Sequence, residues 1–200
     1  KDAQLPDANL DYASLQDANL SGVYAAGAKF GWAQMQGANL ESANLHKASF
    51  FAAQLQGAVL SWSDLQGANF EEAQLHRARL RQANLQGSNL RHAQLPEVDL
   101  FGANLQQSNL FGANLQQANL SGAQIQGSNL SFIDAQNANM GEVKLQGSNL
   151  QVAKLDNADL FAAQLQQTNF SEASLQQVNL LGASLQGADF RAAHLQSATL

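Results

Sequence analysis

Residues 103–120 read ANLQQSNLFGANLQQANL, and the spacing inside this stretch governs the whole chain. A large apolar residue, here Leu105, Leu110, Leu115 and Leu120, returns at every fifth place, with Asn one place before it and Ala or Ser two places before it. Working outward, the frame never slips. Of the 40 residues whose numbers are multiples of five, from Leu5 to Leu200, 38 are Leu, Phe, Met or Ile, and the exceptions are Ala25 and Ala135. Two places earlier the residue is Ala in 29 of 40 cases and Ser, Thr, Val or Ile in the rest. The unit is a small residue, a polar residue, a large apolar residue and two variable ones, and an internal repeat of this kind takes precedence over any local reading of secondary structure.

A period of five fits neither regular structure in its usual form. At 3.6 residues per turn it would smear around a helix, and strict alternation would place it on both faces of a strand. A short strand followed by a corner does fit: the small and large residues, two apart, point to one side while the polar residue between them points away. The two variable residues then make the corner. Of the 15 glycines, 13 occupy the second variable place, and both prolines, Pro6 and Pro96, occupy the first. That order is the preference of a type II turn, whose second central residue needs φ > 0. Corners with bulkier residues are expected to admit another turn type.

The inward phenylalanines Phe30, Phe50, Phe70, Phe170 and Phe190 are separated by multiples of 20. Four sides therefore close one coil, 200 residues make ten coils, and at a strand spacing of about 4.8 Å the tube is about 48 Å long. Ala25 follows Val23 and Ala135 follows Ile133, so large and small residues have exchanged places within one side, as a close-packed interior requires. No pentapeptide can stand alone: burying a Leu contributes about 1.5–3 kcal/mol, less than the cost of ordering five residues. Stacking must supply the stability, as in other solenoids.

The triplets Ala38-Asn39-Leu40, Ala68-Asn69-Phe70 and Ala158-Asp159-Leu160 resemble the A(D/N)LXX motif of the pentapeptide repeat family, and the resemblance covers the chain from end to end. It implies an all-β fold, a right-handed quadrilateral parallel β-helix forming one domain over residues 1–200. Members of that family include quinolone-resistance proteins that mimic DNA toward gyrase, so the resemblance implies, as an alternative to a scaffold, a DNA mimic that binds a type II topoisomerase. The charge pattern argues against the alternative, since the 16 acidic residues form no continuous rows at the coil spacing.

Composition narrows the function classes further. A net charge of −6 with only 13% charged residues gives no electrostatic case for nucleic acid as a partner. Without cysteine there are no disulfides, thiolate metal sites or thiol catalysis. No apolar run approaches a membrane span and no signal-peptide pattern is present, which slightly favours a cytoplasmic setting. The chain opens on Lys1, already in register at Asp2-Ala3-Gln4-Leu5, as expected of a segment of a longer protein. A β-helix cut at a repeat boundary leaves unpaired backbone groups, so end-to-end self-association is expected.

Signatures of chemistry are missing. No outward column places carboxylates on consecutive coils. Glu97 and Asp99 face Arg77 and Arg79 one coil earlier and are expected to pair with them, as Lys154 is with Asp134. His46, His76, His92 and His194 fall in four different columns, which disfavours a metal site. Phosphate-loop, dinucleotide and nucleophile-elbow motifs do not occur. No catalytic residue, metal or cofactor is expected, and the chain is not read as an enzyme.

What does stand out is the outside of the tube. Gln66, Gln86, Gln106, Gln126, Gln146, Gln166 and Gln186 recur at one corner and are expected to form an amide ladder, as is the column from Asn69 to Asn169. At the corner of residues 11–12 and their successors lie Tyr12, Trp32, Phe51, Phe111, Phe132 and Val152, interrupted by Glu71, Glu72, Arg91 and His92. Aromatic residues at this density are commoner in binding surfaces than on bare solvent-facing strands. Tyr12, Trp32, Phe51, Arg91, Phe111 and Phe132 are therefore the candidate surface for another protein or another domain of the same chain, and the function expected is a rigid scaffold or protein-interaction platform.

Overall fold

The computed structural model describes residues 3–200, which form a single four-sided tube of parallel β-bridges. Each bridge joins a polar residue to the one 20 places later, from Gln4 with Tyr24 to Asn179 with Thr199, with no change of register. The sides are named here by their first polar residues, the Gln4, Asn9, Ser14 and Asn19 sides.

The hydrogen bonds explain why the repeat has its residue types. Within one unit, the N–H of Asn104 donates to the Ala83 carbonyl of the preceding coil (3.0 Å), and that of Leu105 to the Gln124 carbonyl of the following coil (2.6 Å). In the corner, Gln107 donates to the Gln126 carbonyl of the following coil (3.0 Å), and Ala113 donates back across the next turn to Leu110 (2.9 Å). One N–H per unit is left, that of the first corner residue, and the Asx side chain two places earlier accepts it: Gln106 donates to Asn104 Oδ1 at 3.1 Å. Where the polar residue is Asn or Asp every backbone donor of the unit is thus placed, which is why that position favours Asn or Asp over a longer side chain. Pro96 follows Gln94, which cannot play this part, and proline has no N–H to place.

Every second corner residue from Asp7 to Ser197 has positive φ, between 51° and 74°. The first corner residues do not, and the small residue that closes the turn donates to the large residue three places before it at every corner but that of Ser128, whose N–H goes to the Ser148 hydroxyl, so bulky corners keep the type II turn rather than changing it. The reason is the inter-coil hydrogen bond of the second corner residue. Another turn type would swing that N–H away from its acceptor. Left-handed backbone costs a non-glycine residue about 1–2 kcal/mol, so Trp32, Trp62, Phe132 and Val152 are held there against their own preference.

Inside, the large and small columns are almost wholly buried from Val23 to Leu180, and the exchanged pairs Val23/Ala25 and Ile133/Ala135 are buried with them. Phe30, Phe50 and Phe70 stack with centroids 4.9 and 4.8 Å apart and planes within 6°, and Phe170 stacks on Phe190 at 5.0 Å. Where this column turns from Phe to Leu, its small neighbours turn from Ala to Ser. Ser108 and Ser128 are buried, and both hydroxyls donate to the Leu105 carbonyl, at 2.6 and 2.7 Å.

Candidate functional site

The exposed corner of Asp11 and Tyr12 and its successors carries two clusters of rings. Tyr12 and Trp32 both occupy the second corner place and stack face to face, 5.1 Å apart with planes 3° from parallel. Phe51 occupies the first place of its corner, so its ring approaches Trp32 edge-on, at 4.9 Å and 75°. The same alternation recurs farther along, where Phe111 at the first place and Phe132 at the second are 5.3 Å apart and tilted by 50°. Arg91 lays its guanidinium over Phe111, 5.4 Å from the centroid, while His92 meets the same ring edge-on at 5.5 Å. Glycine at 112 gives His92 its room, since a Cβ there would come within 2.7 Å of the imidazole Nδ1.

All six expected residues therefore lie on one edge, but as two groups. Tyr12, Trp32 and Phe51 form one, and Arg91, Phe111 and Phe132 the other. The coil of Glu71 and Glu72 separates them, with Glu71 accepting from Asn89 (3.1 Å) rather than pairing with Arg91. Tyr12 is 67% exposed, Phe132 53% and Trp32 46%, so these rings are not folded into the tube. Tyr12 and Trp32 each cover one face of the other, while the Phe51 and Phe132 rings are turned against their neighbours instead of stacking on them.

Several expected surface contacts are arranged otherwise. Arg77 and Glu97 do pair, with bonds of 2.8 and 3.1 Å that hold the Glu97 carboxyl below its ordinary range. Arg79 with Asp99 and Lys154 with Asp134 do not. Asp99 sits at the Asx position, where its Oδ1 accepts from the Phe101 N–H (3.2 Å) and Asn119 (3.0 Å), and its Oδ2 faces Arg81 at 3.5 Å. Asp134 is likewise taken by the Gln136 N–H and the Gln116 amide. The glutamine column is also not a continuous ladder. Gln106 reaches Gln126 at 3.3 Å, but Gln146 bonds diagonally to Gln164, 18 residues on, and at the opposite glutamine corner Gln36 and Gln56 bond in the same way to Gln54 and Gln74. A side chain at the first corner place lies nearer the outward amide on the adjoining side of the next coil than its own column mate. The asparagine column bonds in separate pairs, Asn69 with Asn89 (3.0 Å), Asn109 with Asn129 (3.4 Å) and Asn149 with Asn169 (3.0 Å).

The spacing of 20 places Arg81 beside Phe101, but it does not single out the line of exposed apolar residues to which that ring belongs: Trp62, Phe101, Phe161 and Leu181, on the corner diagonally opposite. Arg81 covers Phe101 there, 5.0 Å from its centroid. The other two corners carry glutamine and no Phe, Tyr or Trp. The signal was a period of 20 offset by ten from the first corner, hidden because Trp62 falls at a second corner place and Phe101 at a first. Among the described residues no cluster of three or more His, Asp and Glu could hold a metal ion.

The family profile described as Pentapeptide repeats matches in 8 copies over residues 3–41, 43–82, 53–91 and 163–200, and that described as Pentapeptide repeat region matches residues 73–150. The chain belongs to the pentapeptide repeat family. Among solved structures it is similar to HetL, a pentapeptide repeat protein involved in heterocyst differentiation regulation from the cyanobacterium Nostoc sp. strain PCC 7120, with 29% identity, 98% of this chain and 88% of that one covered, and a TM-score of 0.46. It is similar to full-length QnrB1, a plasmid-mediated fluoroquinolone resistance protein, with 18% identity, coverage of 97% and 92%, and a TM-score of 0.59. A pentapeptide repeat protein of the cyanobacterium Cyanothece 51142 is 35% identical over 48% of this chain and 63% of its own, with a TM-score of 0.35. Among proteins of curated function, no sequence matches.

Proposed function

We propose that this protein is a non-catalytic scaffold that binds another protein along the edge running from Tyr12 to Phe132. The observation that carries this reading is the backbone under the rings. Tyr12, Trp32 and Phe132 hold φ of 62°, 53° and 62°, a conformation that glycine adopts at 13 equivalent corners without cost. Stability alone favours glycine at these places. A large ring, strained below and exposed above, gains its advantage from contact with something outside the tube. Exposed rings at mixed angles suit apolar side chains and acceptor oxygens of a polypeptide.

The test is a variant with Tyr12, Trp32, Phe111 and Phe132 all changed to Ser. Cross-linking and capture from the organism that makes the protein should return a partner with the parent and lose it with the variant, at unchanged melting temperature. Capture of the same partner by the variant would refute the reading. So would a large drop in melting temperature, which would assign the rings to the fold. The carboxylates at Asx positions are engaged by corner N–H groups instead of lying free in rows, so no inhibition of gyrase supercoiling is expected. Inhibition by the purified protein would replace this reading with topoisomerase binding.

A further inference from the structure

The Asn19 side and the corner after it carry a cleft of about 510 Å³, independent of the Tyr12–Phe132 edge and diagonally across the tube from it. Its lining runs over four coils, from Asn39 and Glu41 through Val59 and Trp62 to Arg79 and Arg81, and ends at Asp99 and Phe101. At about 4.8 Å per coil this is about 14 Å, the reach of four or five extended residues. The floor is low because Val59 stands in a column whose neighbours are Asn39, Arg79 and Asp99. One wall is Trp62, 63% exposed and held at φ 62°. At the other end Arg81 is laid flat on Phe101 with Asp99 Oδ2 3.5 Å from its guanidinium, and Arg79 is exposed, its side chain without an ion pair or hydrogen bond among the described residues.

Charge selects the occupant. Of 10 Lys and Arg residues in a chain of net charge −6, four lie within residues 77–91. Arg77 is engaged by Glu97 and Arg91 lies over Phe111; Arg81, over Phe101 and beside Asp99, lines the cleft together with Arg79, whose side chain alone of the four has no partner among the described residues. Glu41 and Asp99 also line it, so a doubly charged phosphate is opposed where a single carboxylate is accepted, and Glu41 at the far end repels a second carboxylate and sets the direction of binding.

We propose that this cleft docks an extended acidic segment of another protein. The segment seats an aromatic or aliphatic side chain on Val59 and Trp62, and its carboxylate accepts hydrogen bonds from Arg79 and Arg81.

The test uses Trp62 as reporter in a Trp32→Phe background, with phage-displayed random dodecapeptides selected on the whole protein. Enriched sequences should place Asp or Glu beside an aromatic or aliphatic residue, and the synthetic peptides should change Trp62 emission saturably. Arg79→Gln and Arg81→Gln should each weaken binding about ten- to a hundredfold, the loss expected for one charge-assisted hydrogen bond, with unchanged circular dichroism. Binding should weaken with added salt, and Phe111→Ser should leave it intact. Three results would each overturn the proposal: enrichment without acidic residues, affinity indifferent to Arg79→Gln and Arg81→Gln, or saturable binding of adenosine monophosphate where the acidic peptides fail. If only Phe111→Ser abolishes binding, the peptides use the Tyr12–Phe132 edge, and the cleft proposal fails while the scaffold reading stands.

Discussion

Phe50 lies fully buried between Phe30 and Phe70, its ring 4.9 Å from one and 4.8 Å from the other and nearly parallel to both. Phe50→Ala empties that place in a tube whose coils cannot slide together, because the backbone bridges fix their spacing. A buried Phe→Ala change costs about 3–5 kcal/mol, and the loss of two ring pairs at about 0.5–1.5 kcal/mol each brings the total to about 4–8 kcal/mol. Phe50→Leu keeps most of the volume and places there the residue that this column already holds at Leu90, Leu110, Leu130 and Leu150. It forfeits mainly the ring pairs, about 1–3 kcal/mol. Guanidinium unfolding followed by circular dichroism measures the difference, and amide exchange locates it. The Phe30 and Phe50 N–H groups donate to the Ser49 and Asn69 carbonyls, each at 2.7 Å, and should lose protection first. Nearest-neighbour energetics confine the loss to adjacent coils, so amides near Phe170 should keep theirs. If Phe50→Ala unfolds at the parent's denaturant concentration, or if protection falls equally along the chain, the stacked column is refuted.

Two further changes probe the surface. Phe132→Gly relieves a left-handed backbone while giving up a half-exposed ring, so stability should stay within about 1 kcal/mol of the parent; a melting shift much larger than this would mean that the ring belongs to the fold. Burial raises the Asp156 carboxyl, but donors from Ser174 (2.5 Å), Gln136 (3.1 Å) and the Gln176 N–H (2.9 Å), with the charge of Lys154, hold it below the ordinary Asp value. A depressed native pKa stabilises above the unfolded value and is lost as pH falls through the native one. Melting temperature should therefore fall as the pH is lowered from about 4, near the unfolded Asp value, and Asp156→Asn should flatten that fall. Parallel curves for parent and variant would contradict the assignment.

The tube could be read from the sequence because its rules are local and repeated. Five phenylalanines at multiples of 20 fix the number of sides, and small and large places fix the inside. The outer contacts were less legible, for a reason visible at Asp99 and Asp134. Column spacing shows which residues stand above one another, and it does not show that the corner N–H claims an Asx carboxylate first. At Glu97, a corner residue with no such duty, column reasoning held. The aromatic edge was legible because its members share one corner, whereas the Trp62 cleft depends on a short residue, Val59, between longer ones, and that depth appears only when the coils are stacked.

Residues 20 apart are neighbours in this tube, and the absence of cysteine allows a clean measurement of it. Gln54→Cys with Gln74→Cys places two thiols outward on bridged strands about 4.8 Å apart, within the range a disulfide spans. Gln54→Cys with Asn69→Cys places them on different sides of the tube. Mild oxidation should close the first pair to near completion and leave the second open. Closure of the second pair, with the first remaining as free thiols, would contradict the four-sided coil and, with it, both binding surfaces.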